Sequence, residues 1–412
     1  MKLSPMILGW LEHKLPAVPK EKQLSRDAKV SLMIHGCFQF GASMSGVFLN
    51  LYLWRLTHSL MVNGIYSILT WLIAPLALIL GGYLAKKKDR MYTYRIGLLL
   101  FVLFYLAVIL AQEKIVDYYV LFALFGGTAV CFYWTGYLTL MYDVSNKDNR
   151  IRYLALNMIM FTGAGLIGPA LAGFIISRSD GLQGYIIIFT ISFVMFLAAG
   201  LGSLKIKALP SQRKVYYLKY TWLLMRKNPG WLKSLFSFMS VGMLQGSMLF
   251  LPNILLFQVL SKEEWVGYLG VLFAAVSMAS GYYISRNAQE SQRVRYFISS
   301  AIGFTIGAIL LILSTKLWAV IGFMVLYSLF NPLQGNSLTS MYYGLIGNLQ
   351  PKGQFRVESI VVREIFVNVG RVSSVSLLLL FSGNLQGNMI PWMLVIFSLI
   401  QFSLAILLRK EK

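Results

Sequence analysis

Two arginines, a glutamate and an asparagine lie within one otherwise apolar stretch near the far end of the chain: Arg363, Glu364, Asn368 and Arg371. Glu364, Asn368 and Arg371 stand at i, i+4 and i+7, which makes one polar face if the stretch is helical. A carboxyl buried in apolar surroundings holds its proton more tightly, and a nearby guanidinium opposes that. Such a pair suits a proton carrier, with Glu364 titrating and Arg371 as its counterpart. Arg371 equally suits an anionic group on a bound solute. A structural ion network between helices uses the same residues, so three readings stand. Arg363 lies nearer the end of the stretch, where a long basic side chain can snorkel.

Other polar residues inside apolar stretches also follow helical spacing. Gln39, Ser43, Gly46 and Asn50 share one face. Thr128, Thr135, Thr139 and Tyr142 share another, and Asn331, Gly335 and Thr339 a third, with Gln334 beside them. Gln245 and Asn253 fall in one further stretch, with Pro252 expected to kink it. Polar groups avoid lipid, so these stripes face a cavity or a neighbouring helix. The second alternative is modest, about 0.6 kcal/mol per hydrogen bond. Phe132, Tyr133, Trp134 and Tyr137 crowd one segment. Trp134 is expected deep in it, either filling a core or stacking on a sugar ring or a flat or cationic ligand. His35 either titrates near neutral pH or serves as a hydrogen-bonding group.

The elements that hold these residues follow from composition. The chain has 412 residues, 57% of them hydrophobic and 13% charged, with a net charge of +22. A soluble chain spends roughly a quarter of its residues on charge. Twelve apolar blocks run over 30–54, 60–84, 96–112, 116–142, 153–177, 183–204, 234–259, 265–285, 296–315, 317–344, 359–382 and 389–408. A membrane-crossing helix needs about 20 residues, and the roughly ten-residue alternation of barrel strands is absent. Soluble, secreted disulfide-bonded and disordered classes are excluded. Cys37 and Cys131, the two cysteines, lie inside apolar blocks and suggest neither a disulfide framework nor a metal site. The first 29 residues are mixed, charged and contain Pro16 and Pro19, unlike a secretory signal.

Basic residues sit between blocks rather than on one face of a domain, which argues against nucleic acid. One set of loops carries Lys86, Lys87, Lys88, Arg90, Arg95, Lys147, Arg150 and Arg152, and the long segment 205–233 adds eight more. The alternate set offers Arg55, Lys114, Arg178, Lys262 and Lys316. The positive-inside rule therefore predicts both termini in the cytoplasm. Segment 205–233 divides the blocks six and six, and the halves repeat. Leu138-Thr139-Leu140-Met141-Tyr142 returns as Leu338-Thr339-Ser340-Met341-Tyr342, a shift of 200 residues shared by Gly46 with Gly246 and Arg95 with Arg295. The predicted organisation is a tail 1–29, a six-helix bundle 30–204, a basic linker 205–233, a second bundle 234–408 and a tail 409–412.

A six-plus-six parallel repeat with this joint resembles the major facilitator superfamily over nearly the whole chain. The resemblance implies an all-α integral membrane protein of twelve transmembrane helices in two pseudo-symmetric bundles. It also implies a central cavity lined by helices 1, 4, 7 and 10, which carry Gln39, Ser43, Asn50, Trp134, Thr135, Gln245, Asn253, Asn331 and Gln334. After helix 2 the family pattern is matched by Gly82-Tyr83-Leu84-Ala85 and by Arg90, but Lys86 stands where it has Asp, so the acid of the usual charge lock is lost. Asp143 with Arg150 and Arg152 resembles the family's acid-then-Arg pattern after helix 4, where Asp143 either reaches Arg90 across that face or belongs to a solvated loop with weak surface pairs. Gly165-Leu166-Ile167-Gly168-Pro169-Ala170-Leu171-Ala172-Gly173 in helix 5 is similar to the Gly-Pro motif of proton-coupled exporters. Gly165, Pro169 and Gly173 share a face, as either a close-packing surface or a gating hinge.

The function expected is a secondary active transporter of a small organic solute in the cytoplasmic membrane. It is expected to be proton-coupled and to work by alternating access, with export by antiport favoured over uptake by symport. No His-Glu-x-x-His pattern points to a membrane-embedded enzyme, and no Gly-x-x-x-x-Gly-Lys-Ser/Thr loop to an ATP-driven one. A non-transporting receptor on the same scaffold is the remaining class. The expected partners are a small-molecule substrate, protons and membrane lipids, with no nucleic acid. No metal or organic cofactor is implied, and the chain is expected to act as a monomer.

Overall fold

The computed structural model describes residues 23–145, 149–207, 216–249, 251–287, 292–348, 356–381 and 389–408. Among these residues the regular secondary structure is all helical. Twelve spans are long and apolar enough to cross a membrane. They are α1 (Arg26–Thr57), α2 (Leu60–Leu72 continuing as Ala74–Lys87), α3 (Arg90–Ala111), α4 (Tyr119–Asp143), α5 (Arg150–Ser177) and α6 (Gln183–Ser203). A connecting helix, Leu218–Lys227, then precedes α7 (Pro229–Met248 and Leu251–Leu260), α8 (Glu263–Asn287), α9 (Arg293–Leu313), α10 (Leu317–Asn348), α11 (Arg356–Phe381) and α12 (Met389–Ile400 and Ser403–Leu407).

Every predicted span is present, and most begin a little before the apolar block does. Charged residues open most of these added turns, among them Arg26, Arg90, Glu263 and Arg293. Ser25 caps α1 by accepting from the Ala28 N–H at 3.1 Å, and Asp89 caps α3 through the Met91 N–H at 3.1 Å. Pro229 opens α7, where a missing N–H costs nothing. Pro75 has the opposite effect in α2. It cannot donate to the carbonyl four residues back, and the span divides at Ile73.

The internal repeat is visible in the packing. α1 lies against α5 and α6, α3 against α4 and α6, and α2 against α4. In the second half α7 lies against α11 and α12, α9 against α10 and α12, and α8 against α10. The turns repeat too. α1 ends on His58 at φ 47°, and α7 ends on Ser261 at φ 54°. Each donates its N–H to the carbonyl four residues earlier, His58 to Trp54 and Ser261 to Phe257. The two halves meet mainly along two pairs of helices, α5 with α8 and α2 with α11, with a smaller contact between α1 and the second segment of α7. Large apolar side chains cover the outside, among them Leu99, Leu110, Leu313 and Leu380. That extent of apolar surface fits a lipid environment. Inside the first half, Phe38, Phe101, Tyr133 and Phe196 stack into an aromatic core drawn from α1, α3, α4 and α6.

Candidate functional site

The polar face of α11 is real, but its pairing differs from the expectation. Glu364 accepts from neighbouring Arg363, from Nη2 at 2.5 Å and Nε at 3.1 Å. Arg371 instead donates to Asn368 Oδ1 at 3.2 Å and, across to α7, to Gln245 Oε1 at 3.0 Å. The reason is length: seven residues along a helix rise about 10.5 Å, so Asn368 fills the gap. Asn368 also donates to the Glu364 carbonyl at 2.8 Å. Arg371 Nε is buried without a hydrogen-bond partner. The Arg363 guanidinium lies over the rings of Phe238 at 5.4 Å and Tyr342 at 5.9 Å, which fixes where it sits.

Gln245 reaches Arg371 because α7 and α11 nearly touch. A Cβ on Gly246 would lie 2.7 Å from the Arg371 carbonyl oxygen. A side chain on Gly370 would collide with the Met239 carbonyl, and one on Gly242 with that of Val367. Three glycines therefore bring the two backbones together and hold the Gln245–Arg371 contact in register.

The remaining stripe residues divide between internal networks and the space between helices. Gln39 donates to His35 Nε2 at 3.3 Å, and His35 Nδ1 meets Tyr133 Oη at 2.7 Å. This pattern fits imidazole with its proton on Nδ1. The His35 ring stacks on Tyr137 at 3.9 Å, with Trp134 edge-on to it at 6.2 Å. His35 is thus a buried, bonded group, and Trp134 is half-buried beside it. Ser43 bonds back to the Phe40 carbonyl at 3.0 Å, and Thr135 to that of Cys131 at 2.7 Å. Asn50 Oδ1 is buried with no hydrogen-bond partner. Asn253 and Asn331 are half-buried. Gln334 points into its own half, donating to Gln401 of α12 at 3.2 Å, while Gln401 donates to the Ser240 carbonyl of α7 at 2.8 Å.

Both main contacts between the halves end in an ion pair. Where α2 meets α11, Lys86 pairs with Glu358. Glu358 is fully buried and also accepts from the Tyr217 N–H at 3.0 Å. The Lys86 ammonium lies 5.7 Å from the Tyr216 ring centre and 5.9 Å from that of Tyr217. Burial raises the pKa of the Tyr216 phenol, and the Glu358 carboxylate adds to the effect. Lys86, where the resembled pattern has Asp, therefore pairs with an acid of the other half, with the basic partner on α2 and the acidic one on α11. Its acid, Glu358, is not marked by the sequence, because a charge at the start of a span reads as topology. Arg90 opens α3 at the same end. The side chains of Asp143 and Arg150 lie outside the described residues.

At the opposite end α5 meets α8. Arg55 of α1 pairs with Glu263, whose carboxylate also accepts from Tyr185 Oη at 3.3 Å. Glu263 sits in the first turn of α8, where the helix dipole favours an anion. Of the three helix 5 residues, Pro169 and Gly173 are in this contact. A Cβ on Gly173 would lie 2.9 Å from the Glu263 carbonyl, and a side chain on Gly267 would strike the carbonyl of Pro169. Gly165 faces open space. Gly267 belongs to no repeat or motif, so its sequence context carries no sign of this role.

Comparison with known proteins agrees with this architecture. The chain is 29% identical over 385 residues to the uncharacterized protein YqgE of Bacillus subtilis (strain 168), covering 93% of this chain and 89% of that one. It is 30% identical over 169 residues to an uncharacterized protein of the sodM 3' region of Geobacillus stearothermophilus, covering 41% of this chain and 79% of that one. Among solved structures it resembles the nucleoside transporter NupG, with TM-score 0.68 and 14% identity over 92% of this chain and 98% of that one. It also resembles a D-xylose-proton symporter, with TM-score 0.70 and 13% identity over 93% of this chain and 97% of that one. A sequence model described as Major Facilitator Superfamily matches residues 31–352, and with twelve membrane-capable helices in two repeated halves this chain belongs to that family of membrane transporters.

Proposed function

We propose that the chain moves a small organic solute across the cytoplasmic membrane by alternating access, driven by protons, with export by antiport as the favoured direction. The observation that carries this reading is the pair of contacts between halves, each closed by one ion pair at an opposite end. Two locks in series around a polar α11 segment are what a carrier opening to one side at a time requires. The end bearing Lys86, Lys87, Lys88, Arg90 and Arg95 is placed in the cytoplasm by the positive-inside rule. The halves are taken as 30–204 and 234–408, joined by 205–233. Export is favoured by Pro169 and Gly173 lying in the α5–α8 contact, where a bend changes how the halves meet. Uptake by symport is the second reading, supported by half-buried amides such as Asn253 and Asn331 and by the likeness in fold to a D-xylose-proton symporter.

Glu364 is the proposed proton carrier. Its side chain is 26% exposed and its ion-pair partner is the adjacent Arg363. Protonation removes that pair and frees the Arg363 guanidinium. The test is proton flux in inside-out vesicles, followed with a pH-sensitive dye while cationic drugs, sugars, amino acids and organic anions are added in turn. A solute-dependent collapse of the gradient is expected from the wild type, and its loss from Glu364→Gln. Flux of unchanged size and pH dependence in Glu364→Gln removes the assignment.

A further inference from the structure

The pairing within α11 leaves a charge unaccounted for. Arg363 and Glu364 neutralise each other, so one net positive charge, on Arg371, remains. Among the described residues no carboxylate lies within 4.0 Å of Arg371: Glu364, one acid between two arginines, pairs with Arg363 and acts on Arg371 only at longer range, and Arg371 bonds to the amide oxygens of Gln245 and Asn368. Amides solvate a guanidinium but do not neutralise it. An arginine near the middle of a span costs at least about 2.5 kcal/mol even on permissive scales. A charge kept there at that cost points to a counter-charge that is not part of the chain. The fork is also only partly used, because Nε is buried and unpartnered while Nη1 and Nη2 are each bonded once.

Position supports the same conclusion. α11, which carries Arg371, packs against α2 on one side and α7 on the other, and Arg371 bonds Gln245 of α7. α2 belongs to the first half of the molecule and α7 to the second. Arg371 therefore stands where the halves meet, at a depth between the Lys86–Glu358 and Arg55–Glu263 pairs. Gln245 and Asn368 hold its planar group in a fixed orientation, and the α7–α11 glycines hold Gln245. A preoriented guanidinium with free donor capacity is the standard receptor for a carboxylate or phosphate.

We propose that the transported solute is a small organic anion whose carboxylate or phosphate docks on Arg371. The inference rests on the transport reading above and narrows it to a charge class. It predicts that Gln245 and Asn368 act by positioning Arg371, without supplying charge of their own.

The test uses the full-length protein in detergent and in liposomes, with probes that share a skeleton and differ in charge: glucuronate and glucose 6-phosphate against glucose, and benzoate against benzamide. At least one anion is expected to raise the unfolding midpoint of the wild type and to exchange across the liposome membrane, while its neutral match does neither. Arg371→Gln should weaken that anion's binding at least about tenfold, with Arg371→Lys falling between. Without ligand, the midpoint of Arg371→Gln should not fall, because a cation without an ion-pair partner has been removed from a membrane span. A lowered ligand-free midpoint in Arg371→Gln overturns the proposal by making the residue a structural pin. It is equally overturned if no anion stabilises the wild type, or if anion binding survives in Arg371→Gln. Exchange of a neutral probe as fast as its anion also overturns it but leaves transport standing. Stabilisation by an anion without exchange of any probe keeps the Arg371 site and removes the transport reading instead.

Discussion

Lys86 and Glu358 show how one substitution in a familiar loop pattern changes the partner it needs. A buried acid with a broken pair is costly, about 3–5 kcal/mol when one partner is removed. Here the cost falls on a contact between halves, so it should appear as opening of that end rather than as unfolding. Cys131 is a native reporter, packed beside Ala74 and Leu78 of α2 and Val361 of α11, behind the lock. With Cys37 replaced by Ser, Lys86→Ala should speed labelling of Cys131 by a water-soluble maleimide at least about tenfold, equivalent to about 1.4 kcal/mol. The exchanged pair Lys86→Glu with Glu358→Lys should recover only part of the protection. The Tyr217 N–H donates to the carboxylate at position 358 and would face an ammonium in the exchanged protein. Unchanged labelling in Lys86→Ala would show that the pair does not hold the halves together.

The twelve spans are legible in the sequence because an apolar block of bilayer length fits little except a membrane-crossing helix. The repeat is legible for a related reason: Thr-Met-Tyr at a fixed shift of 200 residues is improbable by chance in a leucine-rich chain. The contacts between elements are not legible. The Arg371 contact to Gln245 joins residues 126 apart, and nothing local to either names the other. The α5 motif stands out, yet its partner surface on α8 does not, because Gly267 is one glycine among 35. The crossing makes a paired prediction. Gly267→Val must push the Pro169 carbonyl away, so it should lower the unfolding midpoint, as overpacking costs about 1–3 kcal/mol. Gly165→Ala meets nothing and gains helix propensity, roughly 1 kcal/mol, so its midpoint should hold or rise. If the two variants behave alike in a thermal melt, α5 and α8 do not cross as described.

Both ion pairs are formed in the same conformation, so a contact between the halves is present at each end of the molecule, on either side of the middle of α11. Alternating access then makes a prediction that no single residue can make. Breaking one lock favours the state open at that end and therefore depletes the state open at the other. In inside-out vesicles, where the proposed cytoplasmic face is outside, Lys86→Ala should expose Cys131 to an impermeant maleimide. Arg55→Ala, which breaks the pair with Glu263 at the far end, should slow the same labelling below the wild-type rate. In right-side-out vesicles the order of the two variants should reverse. The effect of Arg55→Ala should be the smaller, because the Arg55 side chain is 32% exposed where that of Lys86 is 13%, and partial solvation weakens an ion pair. Two halves that loosen independently would give faster labelling from the nearer side in each variant and no slowing from the other. That outcome would replace the rocking of two rigid halves with separate local openings, and the two ion pairs would then be pins rather than opposing gates.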